Sequence, residues 1–291
     1  MKIVLWAAVT TGLLLGCEGP ERAEPVTNTT EYTLDTCETS VIDDVPAFFG
    51  KYFKCVRVTR SGDSIVIESK GLPPHRSVYY SSGSANSISY VSQGQGYYQN
   101  PNFIAEQTIR MVIPVEPQPK GLTIKPAMVD GAVGSSFDEY GMGVVGVALD
   151  SVALFNPLAA PGDDIEAEEY SFDPYDGHPE MRGTYHYHTT SKGPLEVLAA
   201  AGLTESTEPG QATVEVYGVM CDGTIIMGCT ELDGAAPDQG TLDAQNGHAH
   251  DLVDEAGMTH FTGRYHTHIC PGTLTGHKFT PEIQYYSSCS I

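Results

Sequence analysis

The chain has 291 residues, with 15 Lys and Arg against 37 Asp and Glu and a formal net charge of −22. Acids outnumber bases more than twofold and no basic cluster occurs, which excludes a nucleic-acid binder, because phosphate recognition needs a basic surface that releases counterions. Hydrophobic residues at 41%, with 31 Gly and 19 Pro, describe a globular, turn-rich chain rather than a disordered one.

Met1-Lys2 and the apolar run Ile3 to Leu15 read as a signal-peptide start, too short to span a bilayer. The run ends in Leu14-Leu15-Gly16-Cys17, which resembles the bacterial lipobox, whose Cys is cleaved at its N-terminal side and acylated. Residues 1–16 are therefore read as a lipoprotein leader, and 17–31 as an acylated Cys17 with a polar, Pro-containing, flexible tether. Glu18, where inner-membrane retention uses Asp, makes the outer membrane of a bacterial cell envelope the expected location, with the lipid anchor as the membrane contact. With Cys17 so assigned, Cys37, Cys55, Cys221, Cys229, Cys270 and Cys289 form an even set in an oxidising compartment, which favours three disulfides. Cys37 and Cys55 lie far from the other four and are read as one pair; the remaining connectivity stays open. No CxxC occurs, which argues against a zinc ribbon.

Residues 32–130 read as a β-rich N-terminal region. Cys55 to Arg60 alternates apolar with polar, turns at Ser61-Gly62-Asp63 and alternates again through Ile65 to Glu68, a hairpin pattern. Ser77 to Asn102, rich in Ser, Gly, Tyr and Asn, reads as loop, and Thr108 to Pro114 as a further strand. Leu195 to Gly202 is the clearest short helix.

Residues 131–291 repeat themselves, in copies at about 141–190 and 214–270. Gly146 to Phe155 matches Gly218 to Met227, each an apolar hairpin around Asp150-Ser151 or Asp222-Gly223. Phe172 to Glu180 matches Leu242 to His250, and Gly183 to His188 matches Gly263 to His268. The blocks are offset by 72, 70 and 80 residues, so order is kept while loops differ in length. The expected fold is mainly β, a disulfide-stabilised β-rich domain with an internal pseudo-twofold duplication and few short helices.

Eight of the ten His fall between His178 and His268. In a strand, alternation puts His186 and His188 on one face and Tyr185 and Tyr187 on the other, so the imidazoles of a His-x-His can share one metal. His178 supplies a third nitrogen, and three protein ligands with an open position are what a catalytic zinc site uses. The second copy offers His248, His266 and His268, with His250 where the first has Glu180. Nitrogen donors suit Zn or Cu foremost, with Fe as a further candidate. The acids and Asn around Gly177 and Gly247 are also compatible with a structural Ca loop, although the EF-hand spacing and its closing Glu are missing. His75 and His277 read as structural or surface residues, and His260 as a weak addition to the second set.

At these residues the chain resembles the YHYH-domain family of bacterial secreted proteins and lipoproteins, whose tetrapeptide stands here as Tyr185-His186-Tyr187-His188. The resemblance covers roughly 141–270, and Gly71 to His75 with Asn102 to Gln107 is similar to segments that precede the domain. Thr267, the Glu180/His250 difference and the Asp176/Asn246 difference depart from a strict repeat. The family resemblance implies a secreted His-rich domain and names no reaction. The expected function is metal binding by an extracytoplasmic lipoprotein, with metal-assisted hydrolysis favoured. Glu180, Asp173 and Asp243 are the candidate catalytic carboxylates. A copper-dependent oxidoreductase and a non-catalytic lipoprotein that captures metal or another ligand are the alternatives, and the substrate is left open.

Overall fold

In the computed structural model, residues 23–129, 138–159, 165–271 and 279–291 are described. Cys17 and His277 lie outside them. The N-terminal hairpin is present as β2 (Val56–Ser61) and β3 (Ser64–Ser69), turning at Gly62, whose φ is +59°. With β1 (Ser40–Val41) and β4 (Ile109–Pro114) they form a sheet in the order β1-β2-β3-β4, parallel at β1–β2 and antiparallel elsewhere. Alternation sends Val58, Ile67 and Met111, which are register partners across three strands, into the core while Arg57 faces water. Helix α1 (Ala47–Tyr52) covers this region with Phe48, Phe49 and Tyr52, and Cys37–Cys55 closes it as expected.

The segment expected to be a flexible tether is held from Val26 onward. Val26 N donates to Ile104 O at 3.0 Å, Asn28 O accepts from Ala85 N at 2.8 Å, and Val26 packs on the core. Ser81 Oγ also donates to Val26 O, Ser84 to Asn28 Oδ1 and Asn28 Nδ2 to Asn86 Oδ1, so polar side chains join the backbone bonds in docking a stretch that composition alone marks as spacer.

The second sheet has eight strands in the order β11-β12-β10-β9-β5-β6-β8-β7. Its centre is the antiparallel pair of β5 (Val144–Ala148) and β9 (Val216–Met220), with Val147 opposite Val219 and Gly146 and Gly218 on either side. Both glycines are required by close approach: a Cβ on Gly146 would lie 2.7 Å from Val219 O, and one on Gly218 2.4 Å from Val147 O. Each central strand turns at its predicted dipeptide, with Ser151 and Gly223 at positive φ, into β6 (Ala153–Phe155) or β10 (Ile225–Met227). Beyond these lie, in parallel, β8 (Tyr185–Tyr187) and β12 (Thr259–His268), and outermost, antiparallel, β7 (Gly177–Pro179) and β11 (Gly247–Val253).

The described helices are few and short: α1, α2 (Ile165–Glu168) running into a 3-10 turn at Glu169–Ser171, and α3 (Lys192–Ala200), besides a 3-10 turn at Pro126–Met128. Helix α3 starts three residues before the expected Leu195. Gly193 and Pro194 look like breakers, but both sit in the first turn, where Pro forfeits no intrahelical bond, and Ser191 Oγ accepts from Gly193 N at 3.1 Å. The remaining cysteines pair as Cys221–Cys289 and Cys229–Cys270. One continuous apolar cluster joins the two sheets, from Phe48 and Met111 to Val147, Val219 and Leu198. No described helix is long and apolar enough to cross a membrane.

Candidate metal centre

His178 on β7 and His186 on β8 are direct register partners, and His188 follows one residue past β8 on the same side. Their Nε2 atoms converge: His178 to His186 is 3.1 Å and His186 to His188 is 3.0 Å. The other ring nitrogens are committed elsewhere. His186 Nδ1 donates to Thr184 O at 2.9 Å and His188 Nδ1 to Asn156 O at 2.6 Å. His178 Nδ1 lies 2.7 Å from Ser171 Oγ, whose own proton goes to Glu168 O, so the hydroxyl accepts from the ring. Burial holds His178 down to about 3, His188 to about 4 and His186 well below the usual imidazole range. At neutral pH the three rings are therefore uncharged, with bare Nε2 lone pairs facing one another about 3 Å apart. Such lone pairs repel unless a cation lies between them, and metal–nitrogen bonds of about 2.0–2.1 Å give this separation.

The second cluster is built the same way at the opposite side of the sheet. His248 on β11 pairs in register with His266 on β12, and His268 ends that strand. Their Nδ1 atoms face Thr241 Oγ1, Arg264 O and Gly228 O at 2.7, 3.0 and 2.9 Å. Thr241 Oγ1 donates to Asp238 O and so accepts from His248. Glu231, in the loop after β10, reaches into the centre: its carboxylate oxygens lie 3.1 Å from Nε2 of both His248 and His266, 3.3 Å from His268 and 3.4 Å from His250. Burial again pulls His266 down, to about 4, against the pull of the adjacent carboxylate. Four strands, β10, β9, β5 and β6, lie between β12 and β8, so the clusters are two separate groups and not one shared centre.

All seven histidines expected as ligands thus fall in the two clusters. The expected catalytic carboxylates are placed differently. Glu180 accepts from Arg182 N and Thr184 N within its own turn. Asp173 accepts from the Tyr185 hydroxyl, Tyr175 N and Ser77, and Asp243 from the Tyr265 hydroxyl, Gln245 N and Gly247 N. The Asp-x-x-Asp/Asn-Gly segments read as Ca loops therefore spend these carboxylate oxygens on turn N–H groups and on tyrosines, with Asp176 and Asn246 at positive φ. The tyrosines face away from the imidazoles, as alternation requires, and Tyr187 bonds Asp150 at 2.9 Å. His260 bonds Asp254 at 2.9 Å beside Phe48 and stays out of the second cluster, and His75 is buried, stacked on Tyr175 at 3.5 Å.

Among the described residues, the carboxylates beside the rings are Glu231 and, at 3.7 Å from His178, Glu168. Neither stands out in the sequence. Glu231 lies 17 residues before His248, and 72 residues earlier, at the hairpin offset, the chain has Ala159.

Residues 128–236 match the family model described as YHYH protein. Over that segment, well under half of its length, the chain is similar to the YHYH family. No curated protein and no solved structure matches the chain. The matched segment contains the whole first cluster together with Glu231 and stops before β11 and β12, which supply the imidazoles of the second.

Proposed function

We propose that this protein is an outer-membrane lipoprotein, anchored through Cys17, that binds transition metal in both histidine clusters and uses it in hydrolysis. The observation that carries this reading is the tautomer pattern: in each cluster three imidazoles spend Nδ1–H on an oxygen acceptor and direct bare Nε2 atoms to one point. Zinc and copper fit the nitrogen-rich set best, with iron next where Glu231 adds an oxygen. A bound ion supplies Lewis acidity, which activates water and polarises a carbonyl or phosphoryl oxygen. The chain's own part is to orient the donors through their Nδ1 partners, to keep His178, His186, His188 and His266 neutral by burial, and to offer Glu231 as an oxygen donor in the second cluster and Glu168 as a proton acceptor beside the first. Hydrolysis is preferred over copper redox chemistry because the tyrosine hydroxyls bond Asp173, Asp150 and Asp243 on the far face. Duplication of one ββ-plus-two-strand unit accounts for the repeat offsets and for the matching strand order on each side of Val147 and Val219.

Metal content of protein exported to a bacterial envelope tests the reading. Wild type is expected to hold about two equivalents, and His186→Ala/His188→Ala and His266→Ala/His268→Ala about one each. Wild type without stoichiometric Zn, Cu or Fe would sink it. Cys17→Ser is expected to release the protein from membranes.

A further inference from the structure

The two clusters differ in what covers them. In the first, His178, His186 and His188 are 3, 2 and 2% exposed. Phe155 stacks on His186 with centroids 3.7 Å apart, and Phe172 lies 4.9 Å from His178, edge to face, and 6.0 Å from His188, parallel. Among the described residues its nearest carboxylate, Glu168, stands at 3.7 Å from His178, beyond hydrogen-bond distance. In the second cluster, aromatic neighbours are replaced by another imidazole: the His250 ring lies 4.6 Å from His248 and 4.7 Å from His266. The His250 side chain is 43% exposed, and its Nε2 is 3.4 Å from the Glu231 carboxylate. The donor set thus runs from buried His266 and His268 through Glu231 to a ring at the surface.

We propose that the second cluster is the exchangeable, ligand-accessible centre, with Glu231 as its oxygen donor and His250 as a labile donor at its mouth, whereas the first cluster holds its ion behind Phe155 and Phe172. The assignment rests on the reading that both clusters bind metal. An ion leaves such a site by stepwise replacement of its donors, which requires that water or a chelator reach at least one of them. His250 offers that entry and no first-cluster histidine does. The same entry admits a substrate oxygen, so the imidazoles of the reacting centre lie outside the segment that matches the YHYH model and only its carboxylate, Glu231, lies within it.

Zinc release to excess EDTA from the zinc-loaded full chain tests this, followed by a colorimetric zinc indicator. Wild type should release one equivalent at least about tenfold faster than the other. The fast phase should be missing in His266→Ala/His268→Ala, and the slow phase in His186→Ala/His188→Ala. Glu231→Gln, which keeps shape, should speed the fast phase by about tenfold or more and leave the slow phase unaltered. His250→Ala, at an exposed position that does not endanger folding, should change only the fast phase. Two equivalents leaving together, or a fast phase belonging to the first cluster, would overturn this assignment while leaving metal binding intact. Failure of every form to bind zinc would overturn metal binding and this assignment with it.

Discussion

At the scale of single residues, a tyrosine and a glycine back each cluster. A Cβ on Gly247 would lie 2.0 Å from the Tyr265 hydroxyl, and one on Gly177 2.5 Å from that of Tyr185. Those hydroxyls are in turn fixed by Asp243 and Asp173. Overpacking of this kind costs about 1–3 kcal/mol, so Gly247→Ala should lower the urea midpoint and disturb the register of His248 with His266. An unchanged midpoint would count against the contact. A second consequence concerns pH. Burial lifts the Asp150 carboxyl to about 7, against the hydrogen bond from Tyr187, whereas in the unfolded chain it titrates near 3.9. Between these values the folded state holds the extra proton, so this residue's contribution to stability falls by about 1.4 kcal/mol per pH unit as pH rises from about 4 to 7. The stability difference between wild type and Asp150→Asn, from urea unfolding at pH 4.5 and 7, should therefore move against wild type by up to about 3 kcal/mol. Parallel pH curves would refute this.

At the scale of elements, the strands carrying the histidines were legible because period-two alternation and a Gly-His partner block leave few other arrangements. The His-x-His tripeptides fall at the ends of β8 and β12, with His186 and His266 directly opposite His178 and His248. Which carboxylates lie beside the imidazoles was not legible, for a geometric reason. Glu180, Asp173 and Asp243 are near the histidines along the chain, but they occupy turns, whose N–H groups claim their oxygens. Glu231 comes from a separate loop that only the fold brings beneath β12, and spacing contains no trace of it. The hairpins were readable from their turn dipeptides, while the start of α3 was hidden by Gly193-Pro194. That start depends on Ser191, and Ser191→Ala should cost about 1 kcal/mol, measurable by thermal unfolding. A shift within error would show that packing of Leu195 and Leu198, not the cap, holds the helix.

At the scale of the molecule, the disulfides divide the labour. Cys229 lies two residues before Glu231, and Cys270 two after His268, so this bridge fastens the carboxylate loop to the end of β12. Replacing both cysteines by Ser should destabilise the fold by about 2–5 kcal/mol and weaken zinc binding at the second cluster more than at the first. Equal weakening would show that the bridge acts only on global stability. The order of the large sheet bears on which pieces of the chain can exist alone. A fragment limited to 128–236 would keep β9 and β10 but lack β12, leaving the far side of β10 as an open edge of unsatisfied N–H and C=O groups carrying Ile225, Ile226 and Met227, all fully buried in the whole chain. Such an edge templates pairing with other copies, so the matched segment on its own should aggregate, and the shortest soluble piece has to run past His268.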